Sequence, residues 1–205
     1  MVESYNSTFP PRLFPSNLPA ANQIRIIGGQ WRARRVRFPA VAGVRPTPDR
    51  VRETLFNWLG QDLSGKKTLD LFAGSGALSL EALSRGAALA VAVDRNRELV
   101  RALAATGAML GATKLETHCA EALSFLARES RVFDVVFLDP PFVERLWDAL
   151  LPAAAARLVP GGVLYVEAPS PVEPPPGLPV LRRDKAGQVH YHLLRRTDGK
   201  DSKAC

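Results

Sequence analysis

From Lys67 onward the chain alternates short apolar runs with helical patterns, and that alternation restricts its fold more than any other feature. Thr68–Phe72, Ala90–Asp94, Leu115–His118, Phe133–Asp139 and Val163–Glu167 have the length and character of strands, and helical patterns begin at Ala77, Arg97, Glu121 and Val143. Parallel strands need a crossover helix between them, so this order predicts an α/β domain with a mostly parallel sheet covered by helices. After a proline-rich link from Pro169 to Pro179, Val180–Asp184 and Val189–Arg195 flank a Lys185-Ala186-Gly187 turn. They predict an antiparallel addition at the edge of the sheet.

Four segments follow from this reading. Residues 1–22 hold Pro10, Pro11, Pro15 and Pro19 without apolar periodicity, and are expected to be a disordered tail. Residues 23–60 form a basic extension. In it the strand-like runs Ile24–Ile27 and Trp31–Phe38 are separated by Gly28 and Gly29, as in a hairpin, and a helix follows with Thr47 as N-cap, Pro48 at its first position and Val51, Leu55, Trp58 and Leu59 on one face. Residues 61–197 are the α/β domain, and residues 198–205 a flexible C-terminal tail.

Charge separates the extension from the rest. Residues 1–52 carry nine arginines and no lysine against Glu3 and Asp49, which accounts for the whole net charge of +7, because the remaining 18 basic and 18 acidic residues cancel. Arg25, Arg32, Arg34, Arg35 and Arg37 fall within thirteen positions. Arginine pairs bidentately with phosphate and stacks on bases, so this arm suits a polyanion. No apolar run approaches a membrane span and no secretory leader pattern begins the chain, which predicts a cytoplasmic protein. Cys119 and Cys205 form no CxxC pair and the three histidines have no ligand spacing, so no metal is expected.

The first strand ends in Asp70-Leu71-Phe72-Ala73-Gly74-Ser75-Gly76, a glycine turn that opens a helix where open α/β sheets bind ligands. A dinucleotide fingerprint needs a third glycine where Ser79 stands, and a nucleoside-triphosphate loop needs a Gly-Lys-Ser/Thr that is missing. Asp94, which ends the second strand eighteen residues after Gly76, is suited to accept hydrogen bonds from both hydroxyls of a ribose. A nucleoside cofactor without a pyrophosphate satisfies both observations, and S-adenosylmethionine is the natural candidate. The cofactor-binding candidates are Asp70, Phe72, Gly74, Ser75, Gly76, Asp94, Arg95, Glu121 and Asp139. Glu121 has the plainer alternative of an acidic residue at a helix start.

Asp139-Pro140-Pro141-Phe142 follows the apolar strand and is the candidate catalytic segment. Two prolines end ladder pairing and stiffen a turn at the mouth of the site. The Asp139 carboxylate and the Pro140 carbonyl can both accept from an amino group, and Phe142 offers a face to a planar base. An aromatic amine is a poor nucleophile because its lone pair is delocalised into the ring. Two acceptors would localise that pair and aim it at a methyl sulfonium, by positioning and electrostatic preorganisation. The nucleophile belongs to the substrate, and the proton leaves to water.

With these residues assembled, the sequence resembles the RsmD-type 16S ribosomal RNA guanine-N2 methyltransferases. The resemblance runs through Ile24–Arg32, Arg45–Thr47, Asp49–Leu59, Phe72–Gly86, Asp139–Phe142 and Gly187–Val189, and covers nearly all of residues 23–196. It implies a Rossmann-like class I methyltransferase fold with a seven-stranded sheet and a reversed last strand. The implied reaction moves a methyl group from S-adenosylmethionine, leaving S-adenosylhomocysteine, to a guanine 2-amino group in a small-subunit hairpin loop. The implied partner is 16S rRNA within the small ribosomal subunit or its assembly intermediate, and a monomer accounts for every feature. The RNA-binding candidates become Arg25, Trp31, Arg32, Arg34, Arg35, Arg37, Arg45 and Arg50. Adenine N6 of DNA or RNA, a protein glutamine amide, a non-catalytic RNA-binding Rossmann module and a nicotinamide oxidoreductase are the competing readings.

Overall fold

The computed structural model describes residues 22–42, 44, 46–140 and 147–197. Strands β1 (Asn22–Arg25) and β2 (Arg35–Phe38) pair antiparallel, with Ile24 opposite Val36 and Arg25 opposite Arg35. Asn22, which the sequence reading assigned to the tail, is thus part of a strand. The strands are also shorter than read, because the chain leaves the extended conformation for a 3-10 turn at Gly29–Trp31. Gly29 has φ of 72°, and a Cβ there would lie 1.7 Å from the Ser84 carbonyl oxygen, so only glycine permits this approach.

Helix α1 spans Asp49–Leu59, with Pro48 at the N-cap position and no side-chain cap bond, so Thr47 does not act as the cap. The remaining elements in chain order are β3 (Lys67–Asp70), α2 (Ala77–Ser84), β4 (Leu89–Asp94), α3 (Arg97–Leu110), β5 (Leu115–Cys119), α4 (Ala122–Leu126), β6 (Phe133–Leu138), α5 (Trp147–Ala155), β7 (Leu158–Ala168), β8 (Val180–Ala186) and β9 (Val189–Arg195). The helix start expected at Val143 lies outside the described residues.

The sheet order is β5-β4-β3-β6-β7-β9-β8. Strands β3 to β7 pair parallel, and β9 runs antiparallel to both of its neighbours. The closing hairpin therefore does not simply extend the edge: its last strand inserts between β7 and β8. Composition explains the choice, since β9 buries Tyr191, His192, Leu193 and Leu194, whereas β8 exposes Arg182, Arg183, Asp184 and Lys185. An apolar strand is stable inside a sheet, and a charged one protects its edge.

Alternation along the strands makes two cores. Phe137 and Tyr165 join Leu55, Phe56, Leu80, Leu99 and Leu103 on one face, while Val136, Leu138, Leu164 and Val166 join Leu126, Leu150 and Leu151 on the other. The first core also contains Ile24, Ile26, Trp31, Val36 and Phe38, so the basic extension and the α/β domain share one interior. Among the described residues no helix is long and apolar enough to cross a membrane.

Candidate active site

The carboxyl end of β3 carries the most enclosed group of the site. Asp70 is 2% exposed and accepts a hydrogen bond from the Ser79 hydroxyl at 2.8 Å. Burial pushes its carboxyl up to about 7, although the hydrogen bonds from Ser79 and the Phe72 amide pull the other way. The loop that follows turns through Gly76 at φ 77°, where a Cβ would stand 2.2 Å from Leu103 Cδ1. Within the loop Ser75 is buried, and Phe72 and Gly74 are half-buried.

The loop and β4 are tied through Asp94. Its Oδ2 accepts from the Gly74 amide at 2.8 Å and its Oδ1 from the Asn96 amide at 2.8 Å. A carboxylate has about four lone-pair sites, so each oxygen keeps capacity for a further donor such as a ribose hydroxyl. The loop thus positions Asp94 before any ligand arrives. Arg95 is exposed beside it, and Glu121 occupies the N-cap position of α4 without making a side-chain cap bond. The set fits a nucleoside with a cationic tail: preoriented acceptors for a ribose, a turn without side chains at Gly74 and Gly76, and an enclosed carboxylate. Among the described residues no group of three or more His, Cys, Asp or Glu could hold a metal ion.

Asp139 follows β6 directly and Pro140 is buried behind it, while Pro141 and Phe142 lie outside the described residues. Asp139 is largely enclosed, and burial, reinforced by the negative charges of Glu167 and Asp70, raises its carboxyl well above the ordinary range. Glu167, near the end of β7, is 5% exposed and likewise raised by burial. Three carboxylates from the neighbouring strands β3, β6 and β7 thus line one face at the carboxyl end of the sheet, where open α/β sheets bind ligands. Sequence reasoning passed over Glu167. The available signal was a lone acid closing the apolar run Val163–Val166.

The arginines lie on the outer surface of the ribbon and on α1, and the ribbon turn that carries Arg32 and Arg34 packs at the C-terminal end of α2. Arg25, Arg32, Arg34, Arg35 and Arg37 are exposed, and the register of β1 with β2 puts Arg25, Arg35 and Arg37 on the solvent face opposite Ile24, Val36 and Phe38. Arg25 pairs with Asp49 at 3.2 Å on the first turn of α1, beside exposed Arg50. Arg45 lies outside the described residues. Trp31 is corrected: it is 7% exposed and packed in the first core, with its amide donating to the Ser84 hydroxyl at 2.9 Å. It anchors the ribbon and has no face free for a base.

The ribbon is held by a buried carboxylate that the sequence reading missed. Glu81 on α2 is fully buried and accepts from the amides of Ile27 at 2.8 Å and Gly28 at 2.7 Å. Arg85 pairs with it at 2.8 Å and Arg52 at 3.5 Å, while Arg52 also reaches Asp49. One acid inside Ala77-Leu78-Ser79-Leu80-Glu81-Ala82-Leu83 was its only trace in the sequence. A cavity of about 600 Å³ lies away from the site, between the ribbon turn and the C-terminal ends of α2 and α3.

Comparison with known proteins agrees with this geometry. The family described as Conserved hypothetical protein 95 matches residues 24–195. Ribosomal RNA small subunit methyltransferase D of Escherichia coli strain K12 is 42% identical over 197 residues, which cover 92% of this chain and 98% of that protein. The protein of the same name from Haemophilus influenzae is 36% identical over 187 residues, covering 86% and 95%. Among solved structures, yhhF from Escherichia coli superimposes with a TM-score of 0.78 at 42% identity, covering 86% of this chain and 99% of that one. A Haemophilus influenzae structure does so with a TM-score of 0.74 at 33% identity, covering 86% and 100%.

Proposed function

Since the chain belongs to the Conserved hypothetical protein 95 family, that of the RsmD-type methyltransferases, we propose that it transfers a methyl group from S-adenosylmethionine to the exocyclic 2-amino group of a guanine in 16S rRNA of the small ribosomal subunit. The observation that carries this reading is the convergence of Asp94, held by the Gly74 amide, with Asp139 at the carboxyl end of the sheet, in a chain whose ribbon exposes its arginines. The relatives named above support the choice of ribosomal RNA.

S-adenosylmethionine supplies a methyl group already activated on a sulfonium. Asp94 would accept the ribose hydroxyls, and Asp70, beneath the loop, would offset the positive charge of the methionyl part. Asp139 and the Pro140 carbonyl would accept the two amino protons of the base and localise the nitrogen lone pair, with Phe142 stacking on the ring. One N–C bond forms as one S–C bond breaks, and the proton on nitrogen departs to water. The arrangement of charge fits a nucleotide. Phosphates are attracted by exposed Arg25, Arg35, Arg37 and Arg50, so the backbone would stay on the solvent surface while a neutral base enters the enclosed group of carboxyls. An unpaired loop base makes such entry inexpensive. A monomer acting in the cytoplasm is consistent with this scheme.

The test is transfer of labelled methyl to small subunits that lack the modification, with wild type beside Asp139→Ala, followed by nucleoside analysis. The expected result is N2-methylguanosine with wild type and at least a roughly hundredfold slower reaction with the variant. N6-methyladenosine as the product would move the assignment to adenine. No transfer to subunits would remove ribosomal RNA as the substrate.

A further inference from the structure

We infer that Glu167 selects guanine, its carboxylate accepting a hydrogen bond from the N1–H of the base while Asp139 and the Pro140 carbonyl accept from the adjacent amino group. This rests on the guanine-N2 reading above and adds the residue that would make the site reject adenine.

The sheet register carries the argument. β6 and β7 pair parallel with Leu138 beside Val166, so the next residues along, Asp139 and Glu167, are neighbours on adjacent strands. Strands in a sheet are about 4.8 Å apart. Phe137 and Tyr165 occupy the first core, whereas Leu138 and Val166 occupy the second. Alternation therefore puts Asp139 and Glu167 on the same face, one step beyond Phe137 and Tyr165 toward the open end. The Tyr165 hydroxyl donates to Glu167 Oε1 at 2.9 Å, and the Thr47 side chain lies near the same carboxylate and partly offsets the effect of its burial. The Tyr165 bond orients the group and still leaves it lone pairs for a substrate donor.

A purely structural role explains less. Tyr165 requires only an acceptor, and the amide oxygen of a glutamine would serve it without adding charge beside Asp139. A second buried carboxylate next to the first is costly unless donors face it. Guanine presents two adjacent kinds of donor on its Watson–Crick edge, N1–H and the 2-amino group. Adenine presents an unprotonated N1 beside its 6-amino group, so its acceptor would face the Glu167 carboxylate. A site built to bond a substrate N–H rejects analogues that lack it, because its own buried polar group is left unpaired.

The test uses small subunits reconstituted with either guanine or 2,6-diaminopurine at the target position, the analogue keeping the 2-amino group but carrying an acceptor at N1. kcat/KM is measured for wild type, Glu167→Gln and Glu167→Asp, with thermal unfolding and S-adenosylhomocysteine affinity followed in parallel. Wild type is expected to prefer guanine by at least about a hundredfold. Glu167→Gln, whose amide can donate to N1, is expected to bring the two substrates within about fivefold. Glu167→Asp keeps the charge and should preserve the preference at a lower rate. Equal use of both bases by wild type overturns the inference while leaving the methyltransferase reading intact, as does a Glu167→Gln variant that loses both activities in equal proportion. Absence of transfer to guanine by wild type overturns the inference and the reading together.

Discussion

Replacing Glu81 by alanine tests how the ribbon is attached to the methyltransferase sheet. The carboxylate is fully buried and accepts from two backbone amides and two arginines, of which Arg52 is 1% and Arg85 7% exposed. Removing one partner of a buried ion pair costs about 3–5 kcal/mol, because the opposite charge stays desolvated. The two amides of Ile27 and Gly28 would each lose a bond to a charged acceptor, worth about 1.5–3 kcal/mol in isolation. These losses share one side chain and do not add in full. Arg52 keeps Asp49 as a second partner, so about 4–5 kcal/mol is the expected total, a large part of the roughly 5–15 kcal/mol that stabilises a domain. At a urea slope of about 2 kcal/mol/M this lowers the unfolding midpoint by about 2 M. Glu81→Gln preserves shape and one acceptor, and should lose about half as much. If both variants unfold within about 1 kcal/mol of wild type at an unchanged slope, the carboxylate is not the clasp. Attachment would then rest on the apolar contacts of Ile24, Ile26 and Trp31.

Other outcomes follow from single features of the site. Gly76→Ala adds a Cβ 2.2 Å from Leu103 Cδ1 at φ 77°, and should cost about 2–3 kcal/mol in thermal unfolding, partly relieved by adding Leu103→Ala. Asp70 titrates near 7 when folded against 3.8 otherwise. Between those values the unfolded chain has already released a proton that the folded protein retains, so the Asp70 contribution to stability falls as pH rises from about 4 to 7, by up to about 4 kcal/mol, and changes no further above. In Asp70→Asn that part of the slope should be lost from a series of denaturation curves, the raised carboxyls of Asp139 and Glu167 keeping the remainder, and an unchanged slope would exclude Asp70 as a source. Arg35→Ala with Arg37→Ala removes two exposed cations from the ribbon. It should raise KM for subunits and reduce the salt dependence of binding by about two counterions, with cofactor affinity unaltered. An unchanged salt slope would move the RNA contact elsewhere.

The sequence determined whatever depends on local periodicity and on short-range chemistry. Strand and helix alternation from Thr68 to Glu167, the turn at Gly74 and Gly76, Asp94 at the following strand end and the Asp139-Pro140 terminus are each written within one or two neighbouring elements. The sheet assembled from them has the expected reversed strand. The arginine ribbon was legible for the same reason, since strand alternation puts Arg25, Arg35 and Arg37 on one face. Only the tertiary structure decided which distant groups meet. Trp31 is aromatic in a basic arm, and nothing local distinguishes a stacking ring from an anchor; docking on α2 buries it. Thr47 carries the residue type of a helix cap, yet it caps nothing and is buried near Glu167, more than a hundred residues away. Glu81 and Glu167 are single acids in apolar runs, whose meaning depends on what faces them. The free energy of a buried charge is set by partners brought together by chain crossings, and a sequence pattern records the charge without recording the partner.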